Sequence, residues 1–319
     1  MRTCADWPLK WGFMRNKYLS YLRDIRRYSE RTCKIYADVL ELFVRFCEGD
    51  EDFAVTLNVN SLRAYEVHLF DERGLSARTV SQHLSVLSGF CRFLMRQGVL
   101  QSNPVHLVKR PKNEKRLPVF YKEQSMEAYF ESTKGDPQFG TYEQKLNRLI
   151  ISLLASCGLR RAELIGLNVR SVDFGRHVLR VLGKGDKMRE IPLLPSLCEE
   201  ISLYLSAVSS LNEDAYSPDA PLLRTRKGAR LYPVYVDRVV KKELAAVPDI
   251  TVRRSPHVLR HTLATELLSD GADLNSIKEL LGHSSLAATQ VYTHNTIERL
   301  QSVYKNAHPR AKNGGKNGD

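Results

Sequence analysis

Two arginines stand in settings suited to holding an oxyanion. Arg160 follows a glycine break in Gly158-Leu159-Arg160-Arg161-Ala162-Glu163, and Arg260 lies three residues after His257 in His257-Val258-Leu259-Arg260-His261. A guanidinium offers several N–H donors in a planar fork that matches a phosphate. On a helix His257 and Arg260 share one side and bring an imidazole and a guanidinium to the same anion, although an isolated pair at this spacing also serves as a surface pair with no ligand. His261 is turned about 100° from Arg260 and is expected to be structural, bonding between helices or to backbone. If Arg160 is buried it needs anionic partners, and Glu163 can hold a neighbouring basic group or a backbone donor in place. Arg161 is expected to be the solvent-facing member of the pair.

Lys184 stands in Gly183-Lys184-Gly185-Asp186-Lys187, at a turn between two short apolar runs, Val178 to Leu182 and Met188 to Leu193. These read as a strand pair. There the lysine is exposed enough to swing into a groove, and it lacks the GxxxxGK[ST] spacing of an ATP-binding loop, so nucleotide hydrolysis gains no support. His283 and Tyr292 lie on either side of a predicted short helix beyond Gly282, and a tyrosine there is by default a core aromatic. The cysteines Cys4, Cys33, Cys47, Cys91, Cys157 and Cys198 are dispersed without metal-knuckle spacing and read as reduced packing residues. No carboxylate cluster of the two-metal nuclease kind stands out. No metal and no cofactor is expected.

The elements that must position these groups follow from periodicity. A chain of 319 residues at about 150 residues per domain predicts about two domains. With 43% hydrophobic residues each half can build a core, which excludes wholesale disorder and collagen-like or low-complexity classes. Tyr36, Leu40, Phe43 and Cys47, and again Val80, Leu84, Leu87, Cys91 and Leu94, fall on single helical faces, with Ser76 as a cap to the second set. Gly49-Asp50-Glu51-Asp52 breaks one helix, Asn58 to Phe70 supplies another, and a bundle of about four helices is expected over 1–108. Residues 109–118 are aperiodic, bracketed by prolines, and carry five basic residues against one acidic. They read as a linker, either a strap across a phosphate backbone or a solvated tether.

Beyond it, 119–311 alternates helices with the small strand region. Leu146 to Ala155 is an apolar helix, Ser255-Pro256 a helix start with serine as the cap, and Gly282 a helix stop. The tail 312–319 has nothing to pack and is expected to be disordered.

The balance of 48 Lys and Arg against 36 Asp and Glu leaves a formal charge of +12. Such an excess favours a polyanion, above all nucleic acid, though an anionic membrane surface or ribosomal RNA fits the charge alone. Neither a secretory leader nor a membrane span is evident, so a cytoplasmic protein is expected, without membrane insertion.

Taken in order, Gly158-Leu159-Arg160-Arg161-Ala162-Glu163-Leu164, Gly183-Lys184-Gly185, His257-Val258-Leu259-Arg260-His261, Leu280-Leu281-Gly282-His283-Ser284 and Tyr292-Thr293-His294 resemble the signature of the tyrosine recombinases, above all the bacterial XerC/XerD-type branch. The resemblance covers nearly the whole chain. It implies a mainly α two-domain clamp around duplex DNA: an N-terminal helical bundle of SAM-like core-binding type, and a mostly helical catalytic domain with a small antiparallel β-sheet. By the family pattern Arg160 and Arg260 resemble the phosphate-clamping arginines, Lys184 the general acid, His257 and His283 the supporting histidines, and Tyr292 the nucleophile. Glu163 matches an acidic residue that supports the site.

The implied reaction passes through a 3′-phosphotyrosyl intermediate and a Holliday junction, without ATP. The implied partners are a double-stranded DNA core site and a homo- or hetero-tetramer assembled on two duplexes, with a related recombinase and a septal DNA translocase as candidate partners. The segment Thr296 to Tyr304 is expected to dock on a neighbouring protomer, the alternative being that it caps its own core. Two departures stand out: Glu266, where many Xer relatives have histidine, and the leader Met1 to Trp11. Xer-type resolution of chromosome or plasmid dimers is the reading, with a mobile-element integrase, transposase or invertase, a type IB topoisomerase and a noncatalytic architectural protein as alternatives.

Overall fold

The computed structural model describes residues 11–47, 56–112, 119–134, 140–183, 187–211, 214–247 and 249–282, and the chain divides between Arg116 and Leu117 into two compact units. In the N-terminal unit, polar caps start the helices. Ser29, Asn58 and Ser76 each accept the backbone N–H of the residue three further on, ahead of α2 (Glu30–Phe46), α3 (Val59–Val67) and α4 (Ala77–Arg96). α1 (Trp11–Ser20) precedes them and widens into a π-helical turn over Tyr21–Ile25, as α3 does over His68–Glu72. The predicted faces turn inward. Leu40 and Phe43 of α2, Leu62 and Tyr65 of α3, and Val80, Leu84, Leu87, Cys91 and Leu94 of α4 are fully buried in one core. Within it the Tyr65 hydroxyl and His83 Nδ1 satisfy each other at 2.9 Å.

The second unit is built on α6 (Tyr142–Cys157), which follows α5 (Glu123–Ser132) and is started by a reciprocal cap between Thr141 and Gln144. Its apolar positions, Leu146, Leu149, Ile150, Leu153 and Leu154, are buried. Around it pack α8 (Pro195–Ser209), α9 (Pro233–Glu243) and α10 (Pro256–Ser269), each with proline in its first turn. α7 (Arg161–Gly166) and α11 (Leu274–Leu281) are short. The expected strand pair is a three-stranded antiparallel sheet, β1 (Val172–Asp173), β2 (Val178–Leu182) and β3 (Met188–Pro192), in that order, with Leu179 opposite Ile191.

Ser255 departs from expectation: its backbone is extended but its side chain makes no cap bond, and its N–H donates to the Tyr121 hydroxyl at 3.3 Å. Gly49 to Asp52, Cys4, Thr296 to Tyr304 and the tail lie outside the described residues. None of the described cysteines is in a disulfide. Among the described residues no helix is long and apolar enough to cross a membrane.

Glu266, on α10, stands in an acidic neighbourhood. Burial first, then the carboxylates of Glu123, Asp270 and Glu127, push its carboxyl up to about 7 from an ordinary 4.5. The folded chain therefore keeps a proton that the unfolded chain releases between those two values. Its contribution to stability is full below the ordinary value and is lost as pH rises toward the folded one. Glu266→Gln is expected to raise the unfolding free energy by about 2 kcal/mol at alkaline pH and to change it little in mild acid, as read by urea unfolding at both. A gain of equal size at both pH values would refute the assignment.

Candidate active site

Arg160 stands at the N-terminus of α7 with extended backbone. Glu163, in the first turn, reaches back to accept its N–H at 2.8 Å, which places a carboxylate where a helix start favours one. The same carboxylate accepts Arg160 Nη1 at 2.7 Å. The preceding turn demands glycine. Gly158 has φ +57°, and a Cβ there would stand 2.6 Å from Leu281 Cδ2.

Glu163 is the centre of a buried cluster. Arg189, from β3, donates from Nη1 and Nη2 to the two carboxylate oxygens at 3.0 and 2.8 Å, and both side chains are within 5% of full burial. Arg260, from α10, brings Nη1 to 4.0 Å from the same carboxylate and donates to the Gly158 carbonyl at 2.6 Å. At the end of α11 three consecutive carbonyls each accept a different guanidinium. Leu280 O takes Arg189 Nε at 3.0 Å, Leu281 O takes Arg260 Nη2, and Gly282 O takes Arg160 Nη2 at 2.9 Å. Such terminal carbonyls have no partner within their helix and carry the negative end of its dipole, so cations gather there.

Three guanidinium groups around one carboxylate leave an excess of two positive charges. Burial is the largest influence on Glu163 and acts to raise its pKa, but the Arg189 bonds, the Arg160 N–H and the charges behind them hold it below the usual carboxylate range. Burial, and then the like charge of Arg160, brings Arg260 down to about 10, so it remains protonated at neutral pH. The Arg160 side chain is 41% exposed, and among the described residues its hydrogen bonds to Glu163 and Gly282 use two of its five N–H donors. The cluster is thus poised to receive a further anion.

That anion has a place to enter. A cleft of about 1010 Å³ opens beside the cluster, lined by Arg160, Arg161, Lys241, Arg253, Arg254 and Arg260, with Asp237 the one carboxylate among the described residues of its wall. His257 lines it too, exposed in the first turn of α10. Sequence reasoning brings Arg160, His257 and Arg260 together, and the structure does the same.

It corrects two expectations. His261 lines the same cleft, its ring edge-on to His257 at 5.6 Å between centroids. The step from Arg260 turns it aside, but the step of four from His257 restores it to the His257 face. Arg161 is tied to Asp237, because α7 packs on α9. Arg189, Lys241, Arg253 and Arg254 are missed by the motifs. A signal for Arg189 exists, since in β3 it shares the inward face with the buried Ile191. Lys184, His283 and Tyr292 lie outside the described residues. Among the described residues no three His, Cys, Asp or Glu side chains gather as a metal site.

Compared with known proteins, the chain matches the family model of the Phage integrase family over residues 122–299, and that of the Phage integrase, N-terminal SAM-like domain, over 16–98. It is 35% identical over 303 residues to Tyrosine recombinase XerC of Bacillus pumilus, covering 92% of this chain and 95% of the relative. Among solved structures it shares its fold with the Tn1549 transposon integrase in complex with transposon right end DNA, at a TM-score of 0.67 and 18% identity over 96% of this chain and 98% of that one. The XerH site-specific recombinase bound to palindromic difH substrate gives a TM-score of 0.65 at 22% identity, over 91% of this chain and 83% of that one.

Proposed function

Because this chain belongs to the phage integrase family, and is a site-specific tyrosine recombinase that breaks and rejoins DNA strands, we propose that the guanidinium cluster around Glu163 is its scissile-phosphate site. The observation that supports this reading is the convergence of Arg160, Arg189 and Arg260 on a single carboxylate beside a basic cleft, with net positive charge left over.

In this reading Arg160 and Arg260 hold the nonbridging oxygens of a DNA phosphodiester and stabilise the charge that develops on them. Tyr292 attacks the phosphorus in line, forming a 3′-phosphotyrosyl bond as the bond to the 5′-oxygen breaks. A free tyrosine has a pKa near 10, so the surrounding positive charge, with proton acceptance by His257, favours its ionised form. Lys184 gives a proton to the departing 5′-oxygen, and His283 helps hold the phosphate. Glu163 is a positioning residue for the arginines. The covalent bond conserves the phosphodiester linkage, so a 5′-hydroxyl from another strand restores DNA with no nucleotide consumed.

The partner is a double-stranded core site, gripped by an N-terminal binding domain and a catalytic domain joined through the basic stretch 109–118. Exchange of two duplexes proceeds through a Holliday junction in a tetramer of this chain, alone or with a related recombinase. The biological role is Xer-like resolution of chromosome or plasmid dimers in the cytoplasm, with a septal DNA translocase as the activating partner. What supports this role is the XerC identity over nine-tenths of the chain.

The test is covalent trapping. A pool of labelled, nicked duplexes with a randomised core is incubated with the protein, separated under denaturing conditions, and the protein-linked DNA sequenced and its peptide mapped. The expected result is one recovered core sequence on the peptide that carries Tyr292. Absence of any linked DNA across the pool would overturn the reading.

A further inference from the structure

We propose that Arg189 is a positioning residue for strand cleavage, locking Gly183, the residue before Lys184, and Gly282, the residue before His283, to the Glu163 carboxylate. The inference rests on the recombinase reading above and adds to it a group that lies outside the phosphate-binding motifs.

An isolated charge in a protein interior is costly, so a buried arginine must be surrounded by acceptors. Arg189 is 4% exposed, and its partners come from two distant segments. Both terminal nitrogens grip Glu163, and Nε donates to the Leu280 carbonyl. Glu163 in turn grips Arg160 through backbone and side chain. One planar fork therefore joins the strand hairpin, the α7 start and the α11 end.

The fork also lies against two glycines. A Cβ at Gly282 would stand 3.1 Å from Arg189 Nη1, and one at Gly183 would stand 3.6 Å from the same nitrogen. Gly282 immediately precedes His283, and Gly183 immediately precedes Lys184. The hairpin closes at that point, where Gly183 N–H donates to the Lys187 carbonyl at 2.8 Å. Arg189 thus sets the spacing between the residue before the proposed general acid and the residue before the second proposed histidine, while neutralising the carboxylate that orients Arg160. A lysine keeps the charge but donates from a single point, and it cannot span a carboxylate and a carbonyl at once. Displacing a catalytic group by about 1 Å is enough to slow a reaction by about 100-fold.

The leaving group separates positioning of Lys184 from general support of the core. With the ordinary substrate the bond from phosphorus to the 5′-oxygen breaks and Lys184 supplies the proton. With a 5′-bridging sulfur, the group departs as a thiolate, whose conjugate acid has a pKa near 8.5, and needs no proton.

Single-turnover cleavage of both substrates is measured, on the duplex recovered from the randomised pool, for the wild-type chain, Arg189→Lys and Arg189→Met. Thermal melting and duplex binding are measured alongside. The lysine variant is expected to fold and bind duplex as the wild type does. It is expected to cleave the oxygen substrate about 10- to 100-fold more slowly, and to regain most of that loss with sulfur. Arg189→Met leaves Glu163 without the guanidinium that bonds both of its oxygens and is expected to melt lower; if it does not fold, Arg189→Lys carries the test alone. Wild-type rates in the lysine variant, or an equal loss on both leaving groups, would overturn the proposal. A wild-type chain that cleaves neither substrate overturns the recombinase reading instead, so the two failures are distinguishable.

Discussion

Tyr292→Phe is expected to abolish the covalent protein–DNA adduct while leaving duplex affinity unchanged. Phenylalanine keeps the ring and removes only the oxygen that would become bonded to phosphorus. Affinity comes mainly from cations facing the phosphate backbone, and this variant touches none of them. The +12 charge of the chain and the cationic wall beside Arg160 remain intact. The measurement is denaturing separation of nicked duplex after incubation, with an equilibrium binding titration in parallel. An adduct formed at the wild-type rate would reject Tyr292 as the nucleophile, and a matching loss of binding would show that the tyrosine serves packing.

Arg260→Ala is expected to slow cleavage by about 10²- to 10³-fold, the usual consequence of removing a donor set aimed at developing negative charge, equivalent to about 3–4 kcal/mol in the transition state. The structure adds a second consequence. Arg260 also satisfies the Gly158 and Leu281 carbonyls, so its removal leaves buried acceptors without their donor, at about 1–3 kcal/mol of folding stability. Cleavage must therefore be compared at a temperature where both chains are folded, with denaturant unfolding run on the same samples. Arg260→Lys restores the charge but not the fork, and it is expected to recover duplex binding more fully than cleavage. Wild-type cleavage in the alanine variant would remove Arg260 from the phosphate site and leave it as a structural tie between α10 and α11.

Much of the fold is legible in the sequence because the forces that form it are local. Ser76 caps the helix that follows it by bonding three residues ahead, and the apolar spacing of α4 picks out Val80, Leu84, Leu87, Cys91 and Leu94, all fully buried. The left-handed positions of Gly158 and Gly282 follow from helix ends that need them. Where inference from adjacent residues failed, the reason is geometric. His261 turns aside from Arg260, its neighbour, but stands one helical turn from His257, and that step of four brings it into the cleft.

What the sequence by itself determined is a set of chemical groups and the local elements that carry them: Arg160 at a helix start, Glu163 one turn on, His257 and Arg260 on one helix. What only the tertiary structure decided is how those groups are shared. Arg189 is 26 residues from Glu163 and 91 from Leu280, separations that no periodicity relates. Its entry into the cluster depends on where β3 packs. The same packing assigns the carbonyls of Leu280, Leu281 and Gly282, at the end of α11, to three different arginines, an outcome imposed by the need to satisfy every buried donor and acceptor at once. Local sequence chooses the groups, and the close-packed interior decides which of them meet.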